Sequence, residues 1–367
     1  MKNIEKFLSK TIPLIIDGQA VESSDGETFE TINPATEEVL ANVALASAKD
    51  VNAAVNAAQT SFESGIWSRA LKLHRKKVLL QIADVIEKNK DELAMLETLD
   101  TGVPISQTAG RHIFRAIGNF RYFAELTTHE SSKLIQSENT HLNLISHEPV
   151  GVIGILSPWN APLALSTMRI AAALCYGNSI VLKPSESAPL TASRLAELVL
   201  ETDLPSGVWN VIQGLPQPTG ETLATHPGVD ALALTGGTET GKIVMKLAAQ
   251  NVKKLSFELG GKSASLVFAD CDWERAIDGT LLGIFSNNGQ QCLAGSRILV
   301  EESIYDKFVA EFVERANNIR VGNPLENSLE PSFKALKNGE MRRVIGNTYI
   351  CDKSPKIVAE IIEEFFK

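Results

Sequence analysis

Four short apolar runs, each followed by a turn and a helix-like segment, constrain the fold of this chain more than any other feature. They lie at positions 152–156, 179–182, 208–212 and 231–234. Strands that are buried on both faces of a sheet are apolar along their length, and their alternation with helices is typical of a parallel sheet. The sequence therefore predicts an α/β fold built on a doubly wound parallel sheet.

Polar residues and glycines directly follow three of these runs, at positions 157–160, 183–186 and 235–241. In open parallel sheets, ligands bind beyond the carboxyl ends of the strands. We therefore expect the three segments to meet at one edge of the sheet and to form a ligand site there.

The third of these segments places glycines between a buried strand and a helix that should begin near Thr238. Glycine lets a ligand approach the backbone, and a helix N-terminus offers free N–H groups and partial positive charge to a pyrophosphate. The segment lacks the GxGxxG spacing of the usual dinucleotide fingerprint. A tight turn that needs glycine for its own backbone is the alternative interpretation.

Lys183 and Glu186 follow the second run, at the mouth of a buried strand. A lysine and a glutamate in this place can hydrogen-bond the hydroxyls of a ribose. A carboxylate there would repel a 2′-phosphate, so the pair favours NAD over NADP.

Asn160 follows the first run and stands between Trp159 and Pro162. An amide N–H₂ group can stabilise a developing alkoxide without being titrated, as the donors of an oxyanion hole do. The alternative interpretation is that Asn160 caps a helix that begins near Pro162.

Cys292 comes after a polar loop at positions 287–291, and Glu258 opens the sequence Glu-Leu-Gly-Gly-Lys. A thiolate adds readily to a carbonyl carbon, and a carboxylate can then activate water to release the acyl group. Taken alone, a cysteine is more often a buried small hydrophobic residue, and a glutamate before two glycines is more often a solvated strand end.

Length, charge and cysteine usage limit the class of protein. A chain of 367 residues exceeds what one core usually supports, so we expect two domains. A net charge of −9 argues against a nucleic-acid partner. The four cysteines show no CxxC spacing, which argues against a zinc site or a disulfide framework and indicates a reducing compartment. No signal peptide or membrane-spanning run is recognised, so no membrane partner and a cytoplasmic location are expected.

The periodicity before the apolar runs predicts further elements. Short strands are expected near positions 14–16 and 31–32. Helices are expected at 49–59, at 69–96 as one or two helices, and at 105–127 as a pair of helices. Alternation of polar and apolar residues at 141–148 predicts a half-buried antiparallel strand.

Several ordered motifs between positions 14 and 324 together resemble the NAD(P)-dependent aldehyde dehydrogenase superfamily. The motifs are Asn-Pro-Ala-Thr at 33–36, Glu-Pro-Val-Gly-Val at 148–152, Pro-Trp-Asn at 158–160, Lys-Pro-Ser-Glu at 183–186, Leu-Pro-Ser-Gly-Val-Trp-Asn-Val at 204–211, Thr-Gly-Gly at 235–237, Glu-Leu-Gly-Gly-Lys at 258–262 and Gly-Gln-Gln-Cys at 289–292. Further similarity at 97–102, 234–241 and 284–289 resembles the branch that oxidises semialdehydes from aromatic-ring catabolism.

The resemblance implies a role for each matching residue. Cys292 corresponds to the nucleophile, Glu258 to the general base, and Asn160 to the oxyanion donor, together with the backbone N–H of Cys292. The cofactor, NAD rather than NADP, is expected to contact a set of residues in the first two thirds of the chain: Ser157, Trp159, Lys183, Glu186, Gly236, Gly237 and Gly241. Many members have serine where this chain has Gly237, so one hydroxyl contact to phosphate is expected to be missing. The implied substrate is a small aldehyde, and the family forms homo-oligomers.

The resemblance also implies a division of the chain. We expect a NAD-binding domain at 1–131 and 150–259, an oligomerisation strand segment at 132–149, and an incomplete α/β catalytic domain at 260–325. The residues from 326 to 367 lack the family's sequence, and an apolar stripe predicts an amphipathic helix from 355 to 367. This pattern indicates a truncated or fused gene product.

Three functions are compatible with these motifs. The first is an active aldehyde dehydrogenase. The second is an inactive chain that still binds NAD, and the third is a structural or regulatory subunit that assembles with full-length relatives through residues 132–149.

Overall fold

The computed structural model describes residues 2–137 and 141–326, and these form two compact units. The first unit ends at Leu259 and the second begins at Gly260. The expected tail at 326–367 lies almost entirely outside the described residues, as does Cys351.

The strands of the first unit, in chain order, are β1 Leu14–Ile16, β2 Gln19–Val21, β3 Thr28–Ile32, β4 Val39–Ala44, β5 Lys133–Ser137, β6 His141–Ile145, β7 Val152–Leu156, β8 Ser179–Lys183, β9 Trp209–Val211, β10 Ala231–Thr235 and β11 Lys254–Glu258. Its helices are α1 Lys2–Leu8, α2 Ala48–Ser64, α3 Lys72–Lys88, α4 Lys90–Thr101, α5 Ile105–Gln107, α6 Ile113–His129, α7 Pro162–Cys175, α8 Leu190–Val199, α9 Glu221–Thr225 and α10 Thr238–Ala248.

A seven-stranded sheet in the order β11-β10-β7-β8-β9-β1-β2 forms the centre of the first unit. Strands β11, β10, β7, β8 and β9 are parallel, and β1 is antiparallel to both of its neighbours. The four predicted apolar runs are thus four adjacent strands of one parallel sheet. The predicted doubly wound architecture is confirmed.

Helices cover both faces of this sheet. Ile180 and Leu182 of β8 pack into one apolar core, which also contains residues of α3, α6, α7 and α8. Val181, between them, packs into a second core on the opposite face with residues of α2, α9 and α10. Every residue of β8 is buried, which explains why its sequence is apolar from Ile180 to Leu182.

The predicted helices of the N-terminal half are present. The stretch 69–96 forms α3 and α4, and the stretch 105–127 forms α5, a π-helical turn at Thr108–His112, and α6. Helix α2 covers the predicted segment 49–59 and begins with a capping box, because Ser47 and Asp50 each accept a hydrogen bond from the other's backbone N–H.

The prediction of a half-buried strand at 141–148 is wrong in one respect. Strand β6 does pair antiparallel with β5, but all five of its residues are exposed. Alternation identifies a face that is suited to burial and does not say what covers it. Leu134 and Leu144, which pair across the hairpin, are 67% and 69% exposed.

The second unit is a small α/β structure. Strands β12 Ala264–Val267 and β13 Arg297–Val300 are parallel, and helix α11 Trp273–Phe285 lies between them in sequence. Helix α12 Tyr305–Asn317 follows. Val267, Ile277, Phe285, Phe308 and Phe312 are among the buried residues of its core. Within both described parts of the chain, no helix is long and apolar enough to cross a bilayer.

Candidate active site

The strand register of the first unit places the predicted polar segments at one edge of the sheet. Leu156 pairs with Lys183 on one side and with Leu234 on the other. Thr235 pairs with Glu258. Since these strands are parallel, their carboxyl ends lie side by side, and the residues that follow them share that edge.

The segment after β7 contains Ser157, Trp159 and Asn160. The Ser157 backbone N–H donates to the Lys183 carbonyl oxygen at 3.1 Å, so this segment is still joined to the sheet where β7 ends. Ser157 is buried and Trp159 is 44% exposed. The N-cap of α7 is Ala161, so Asn160 is not the capping residue of that helix. The role of Asn160 as an oxyanion donor stays a prediction.

Lys183 and Glu186 form an ion pair at the end of β8. The Lys183 ammonium donates to Glu186 Oε2 at 3.3 Å and to the Pro184 carbonyl oxygen at 3.1 Å. The lysine side chain is only 6% exposed, whereas the glutamate is 34% exposed. Burial lowers the pKa of Lys183, and Glu186 acts in the opposite direction. An ammonium has three donors, so the pair can hold a hydroxyl ligand in addition to these contacts.

The turn between β10 and α10 does not need glycine for its own backbone. Gly237 has φ −71°, and an added Cβ at this position would meet its nearest described neighbour, Thr240 Oγ1, at 3.8 Å. At Gly236 the nearest neighbour would be 3.4 Å away, which is ordinary contact. A tight turn alone therefore does not account for these two glycines, and their contact with a cofactor stays a prediction.

Gly241 differs from Gly236 and Gly237 because it lies within helix α10. It lies in the first turns of α10, where its N–H donates to the Gly237 carbonyl oxygen at 3.0 Å. A Cβ at Gly241 would lie 2.8 Å from the Leu259 side chain. Glycine is needed here for packing of the helix against the chain beyond β11, and its backbone N–H is already used within the helix.

Two buried hydroxyl groups at the same edge have no hydrogen-bond partner within the described residues. They are Ser157 Oγ and Thr235 Oγ1. Ser157 directly follows β7, and Thr235 is the last residue of the neighbouring strand β10. An unpaired buried hydroxyl is costly in a folded protein. Thr235 is thus a further candidate site residue, and its position just before two glycines is the sequence signal for it.

Glu258 is the last residue of β11, at the end of the sheet order, and its side chain is 61% exposed. Its Oε1 lies 3.7 Å from Arg169 Nη2. Arg169 projects from α7 and also donates to Ser256 Oγ at 2.9 Å. The Glu258 carboxylate is therefore accessible to water and has the Arg169 guanidinium as a neighbour.

Cys292 belongs to the second unit, in the connection between α11 and β13. It is exposed, whereas Cys175 is buried and Cys271 is intermediate. Asn287, Asn288 and Gly289 all have positive φ, between 54° and 73°, which is uncommon for non-glycine residues. The polar composition of this loop is visible in the sequence, whereas its left-handed backbone is not.

Gly261 supports the segment that carries the cysteine. A Cβ at Gly261 would lie 2.9 Å from the Cys292 carbonyl oxygen, so the two backbones are in close contact. This contact explains the second glycine of Glu-Leu-Gly-Gly-Lys, and it joins positions too far apart for the sequence alone to indicate it.

The structure thus brings together the site residues of the first unit at one edge of the sheet. Cys292 lies in the second unit, whereas Asn160 and Glu258 lie in the first. That Cys292 acts together with Asn160 and Glu258 stays a prediction.

Comparison with known proteins identifies the family. The sequence profile of the aldehyde dehydrogenase family matches residues 20–344, which is most of the chain. The chain belongs to the aldehyde dehydrogenase family.

Relatives with defined names support this membership. The chain is 45% identical over 311 residues to 5-carboxymethyl-2-hydroxymuconate semialdehyde dehydrogenase of Escherichia coli, which covers 85% of this chain and 65% of the relative. It is 44% identical over 326 residues to the NADP/NAD-dependent aldehyde dehydrogenase PuuC of E. coli K12, with 88% and 66% covered. The chain therefore spans just under two thirds of the length of these curated relatives.

A solved structure shows the same fold. The NAD⁺ complex of an aldehyde dehydrogenase from Bacillus cereus is 40% identical, with a TM-score of 0.89, and the match covers 93% of this chain and 70% of that one. The family fold that was expected from the sequence motifs is confirmed.

Proposed function

We propose that this protein oxidises an aldehyde to the corresponding carboxylate, with NAD as the hydride acceptor. The observation that carries the proposal is the common sheet edge, where Asn160, Lys183, Thr235 and Glu258 follow or end adjacent parallel strands. The exposed Cys292 supplies the nucleophile from the second unit.

The residues of the edge fit a dinucleotide. The N-terminus of α10 follows Gly237 without a side-chain cap, so its first N–H groups can receive a pyrophosphate. The unpaired hydroxyls of Ser157 and Thr235 lie at the same edge. Lys183 and Glu186 can hold ribose hydroxyls, and Trp159 offers an exposed aromatic surface close by in sequence.

The preference for NAD over NADP rests on Glu186. Its partly exposed carboxylate would face an added 2′-phosphate, and like charges at short range repel. The name of PuuC includes both nucleotides, so the family by itself does not fix this choice.

Each protein group has a defined chemical task in this proposal. The Cys292 thiolate attacks the carbonyl carbon, and the amide of Asn160 donates a hydrogen bond to the alkoxide that forms. Bound NAD supplies the acceptor for the hydride that leaves this carbon, and a thioester remains on Cys292. Glu258 then takes a proton from water, whose oxygen attacks the thioester and expels the thiolate. One aldehyde and one water are converted to one carboxylate, with two electrons transferred.

The substrate class that we propose is a semialdehyde. The observation behind this choice is the similarity to 5-carboxymethyl-2-hydroxymuconate semialdehyde dehydrogenase at 45% identity.

We also propose that the β5–β6 hairpin contacts a second copy of the chain. Leu134, Leu142 and Leu144 lie on one face of this hairpin, and each is at least 67% exposed. An apolar face of this kind is suited to burial in an interface. Leu142→Asp is expected to lower the mass in solution, which light scattering measures, while a mass unchanged by the substitution would contradict the assignment.

The activity is tested by following NADH absorbance with a panel of semialdehydes and simple aldehydes. We expect turnover in the wild-type protein and none in Cys292→Ala, which keeps the cofactor site intact. Thermal shift with NAD, NADP and AMP is measured on both proteins. Stabilisation by NAD without turnover would identify the protein as a nucleotide-binding chain rather than an active enzyme.

A further inference from the structure

Glu97 is a carboxylate with no exposed surface, and the proposed mechanism gives it no task. It lies on α4, and its two oxygens contact two other elements. Oε1 lies 2.7 Å from His112 Nδ1 in the π-helical turn, and Oε2 accepts a hydrogen bond from the Leu163 N–H at 3.2 Å. His112 is also buried, at 5% exposure.

Burial of a carboxylate is unfavourable unless charged or hydrogen-bonded partners compensate for the lost water. The N-terminus of helix α7 supplies one of these partners, because it has a backbone N–H without a side-chain cap. Its N-cap residue is Ala161, which has no polar side chain, and its first residue is Pro162, which has no N–H. The N–H of Leu163 is thus the first free donor of this helix, and the carboxylate that accepts it comes from a distant part of the chain.

This contact fixes the far end of the segment that carries Asn160. The near end is fixed by the backbone hydrogen bond from Ser157 to the Lys183 carbonyl oxygen. Between these two anchors the segment has no regular secondary structure. The backbone position of Asn160 is therefore coupled to the position of the first turn of α7.

The rest of α7 is held independently of Glu97. Asn119, on α6, donates to the Ala164 carbonyl oxygen at 2.9 Å and to Thr167 Oγ1 at 3.0 Å. Loss of the Glu97 carboxylate should therefore loosen the first turn without displacing the helix. The expected consequence is a change in the position of Asn160 rather than unfolding.

We propose that Glu97, oriented by His112, is a positioning residue for the oxyanion donor Asn160. The inference rests on the proposed function, because Asn160 has this task only if a carbonyl is attacked. Glu97 touches neither substrate nor cofactor in this proposal. It acts through the N-terminus of α7.

The chain offers a matched control. Thr98, the next residue on α4, is fully buried, and its hydroxyl lies 2.8 Å from Thr108 Oγ1 in the same π-helical turn. Thr98→Val removes a buried contact between the same two elements and leaves the bond to Leu163 in place. Glu97→Gln is the conservative variant, since its amide oxygen can still accept from the Leu163 N–H.

The kinetic test measures the single-turnover rate of NADH formation and the dissociation constant of NAD in each variant. We expect Glu97→Ala to lower the rate by about tenfold to a hundredfold, because small displacements of an oxyanion donor have effects of this order. The NAD constant should stay within about twofold, and Glu97→Gln should recover most of the rate. An equal loss of rate in Thr98→Val and Glu97→Ala would overturn the proposal.

Combination with Asn160→Ala tests whether the effect passes through Asn160. In that background, Glu97→Ala should have little further effect on the rate, because the group that it positions is absent. Full additivity of the two losses would overturn the proposal.

Amide hydrogen exchange of residues 158–165 provides a readout that does not depend on activity. We expect at least about tenfold faster exchange at Leu163 in Glu97→Ala and no change in Thr98→Val. If the wild-type protein forms no NADH, the proposed function fails, and the exchange rates still decide the structural part of the inference. Equal exchange rates at Leu163 in Glu97→Ala and Thr98→Val would overturn the proposal.

Discussion

The sheet edge of the first unit and the cysteine loop of the second unit both contain residues of the proposed reaction, but they are built differently. The edge is set by the register of parallel strands, which aligns Leu156, Lys183 and Leu234. The loop is set by consecutive left-handed residues and by the close contact between Gly261 and the Cys292 carbonyl oxygen. A buried parallel strand is recognisable in the sequence as an apolar run, whereas the backbone geometry of a loop is indicated only by individual residues such as glycine and asparagine.

Cysteine labelling should give the largest contrast between the two regions. Cys292 is exposed, whereas Cys175 is buried at the end of α7, where burial raises the pKa of its thiol. Alkylation of Cys175 requires local opening, so we expect Cys292 to react about a thousandfold faster in the native protein. Peptide mapping after partial alkylation measures both rates. Faster labelling of Cys175 or Cys271 would contradict the assignment of the nucleophile.

A substitution at Gly261 should damage the loop and spare the sheet edge. The added Cβ of Gly261→Ala would meet the Cys292 carbonyl oxygen at 2.9 Å, so the loop must shift. We expect the single-turnover rate to fall by about a hundredfold, with NAD stabilisation unchanged in a thermal-shift assay.

Gly279→Ala is the control for this substitution within the same unit. Gly279 lies in α11, and a Cβ there meets no described heavy atom within 4 Å. This variant should keep the wild-type rate. Equal rates in the Gly261 and Gly279 variants would show that the Gly261 contact does not position the cysteine.

A substitution at Lys183 should damage the sheet edge and spare the cysteine loop. Lys183→Met removes the charged donor from the sheet edge, and we expect NAD affinity to fall by about tenfold, since hydrogen bonds to charged groups contribute on the order of 1.5–3 kcal/mol. Cys292 labelling should not change. Lys76→Met, at another lysine of the first unit paired with a glutamate, is the control. Similar NAD affinity in both variants would remove Lys183 from the site.

The smallest expected effect concerns Asp100, a fully buried residue of the first unit. Burial raises its pKa to about 7, although Thr31 and the Leu190 N–H donate to its oxygens. The folded state therefore holds a proton that the unfolded chain releases above its ordinary pKa near 4. Stability contributed by this group is present at pH 4 and is lost as the pH rises to about 7.

Asp100→Asn keeps a similar shape without the ionisation. Its melting temperature should exceed that of the wild-type protein by on the order of a few degrees at pH 8, and this difference should shrink at pH 4. Calorimetry at the two values of pH measures it. A larger advantage of the variant at pH 4 would mean that Asp100 is ionised in the folded protein at low pH.

The sequence predicted the parallel sheet well because buried strands are apolar on both faces, and 152–156 matches β7 at both ends. Strand β11 was not predicted, since it lies at the end of the sheet order and only Phe257 is partly buried. The site residues after the strands followed from this pattern and from family motifs. The roles of Gly261 and of the Glu97–His112 pair depend on contacts between distant positions, for which spacing gives no signal.

The central claim is that Cys292 and Glu258 act on one substrate although they belong to different units. Rapid mixing of Glu258→Gln with NAD and a semialdehyde, followed by mass measurement, tests it most directly. We predict one equivalent of NADH in a burst and an acyl group retained on Cys292, because hydride leaves before water is activated. A variant that turns over continuously like the wild-type protein, or that gives no burst while the wild type is active, would contradict the account.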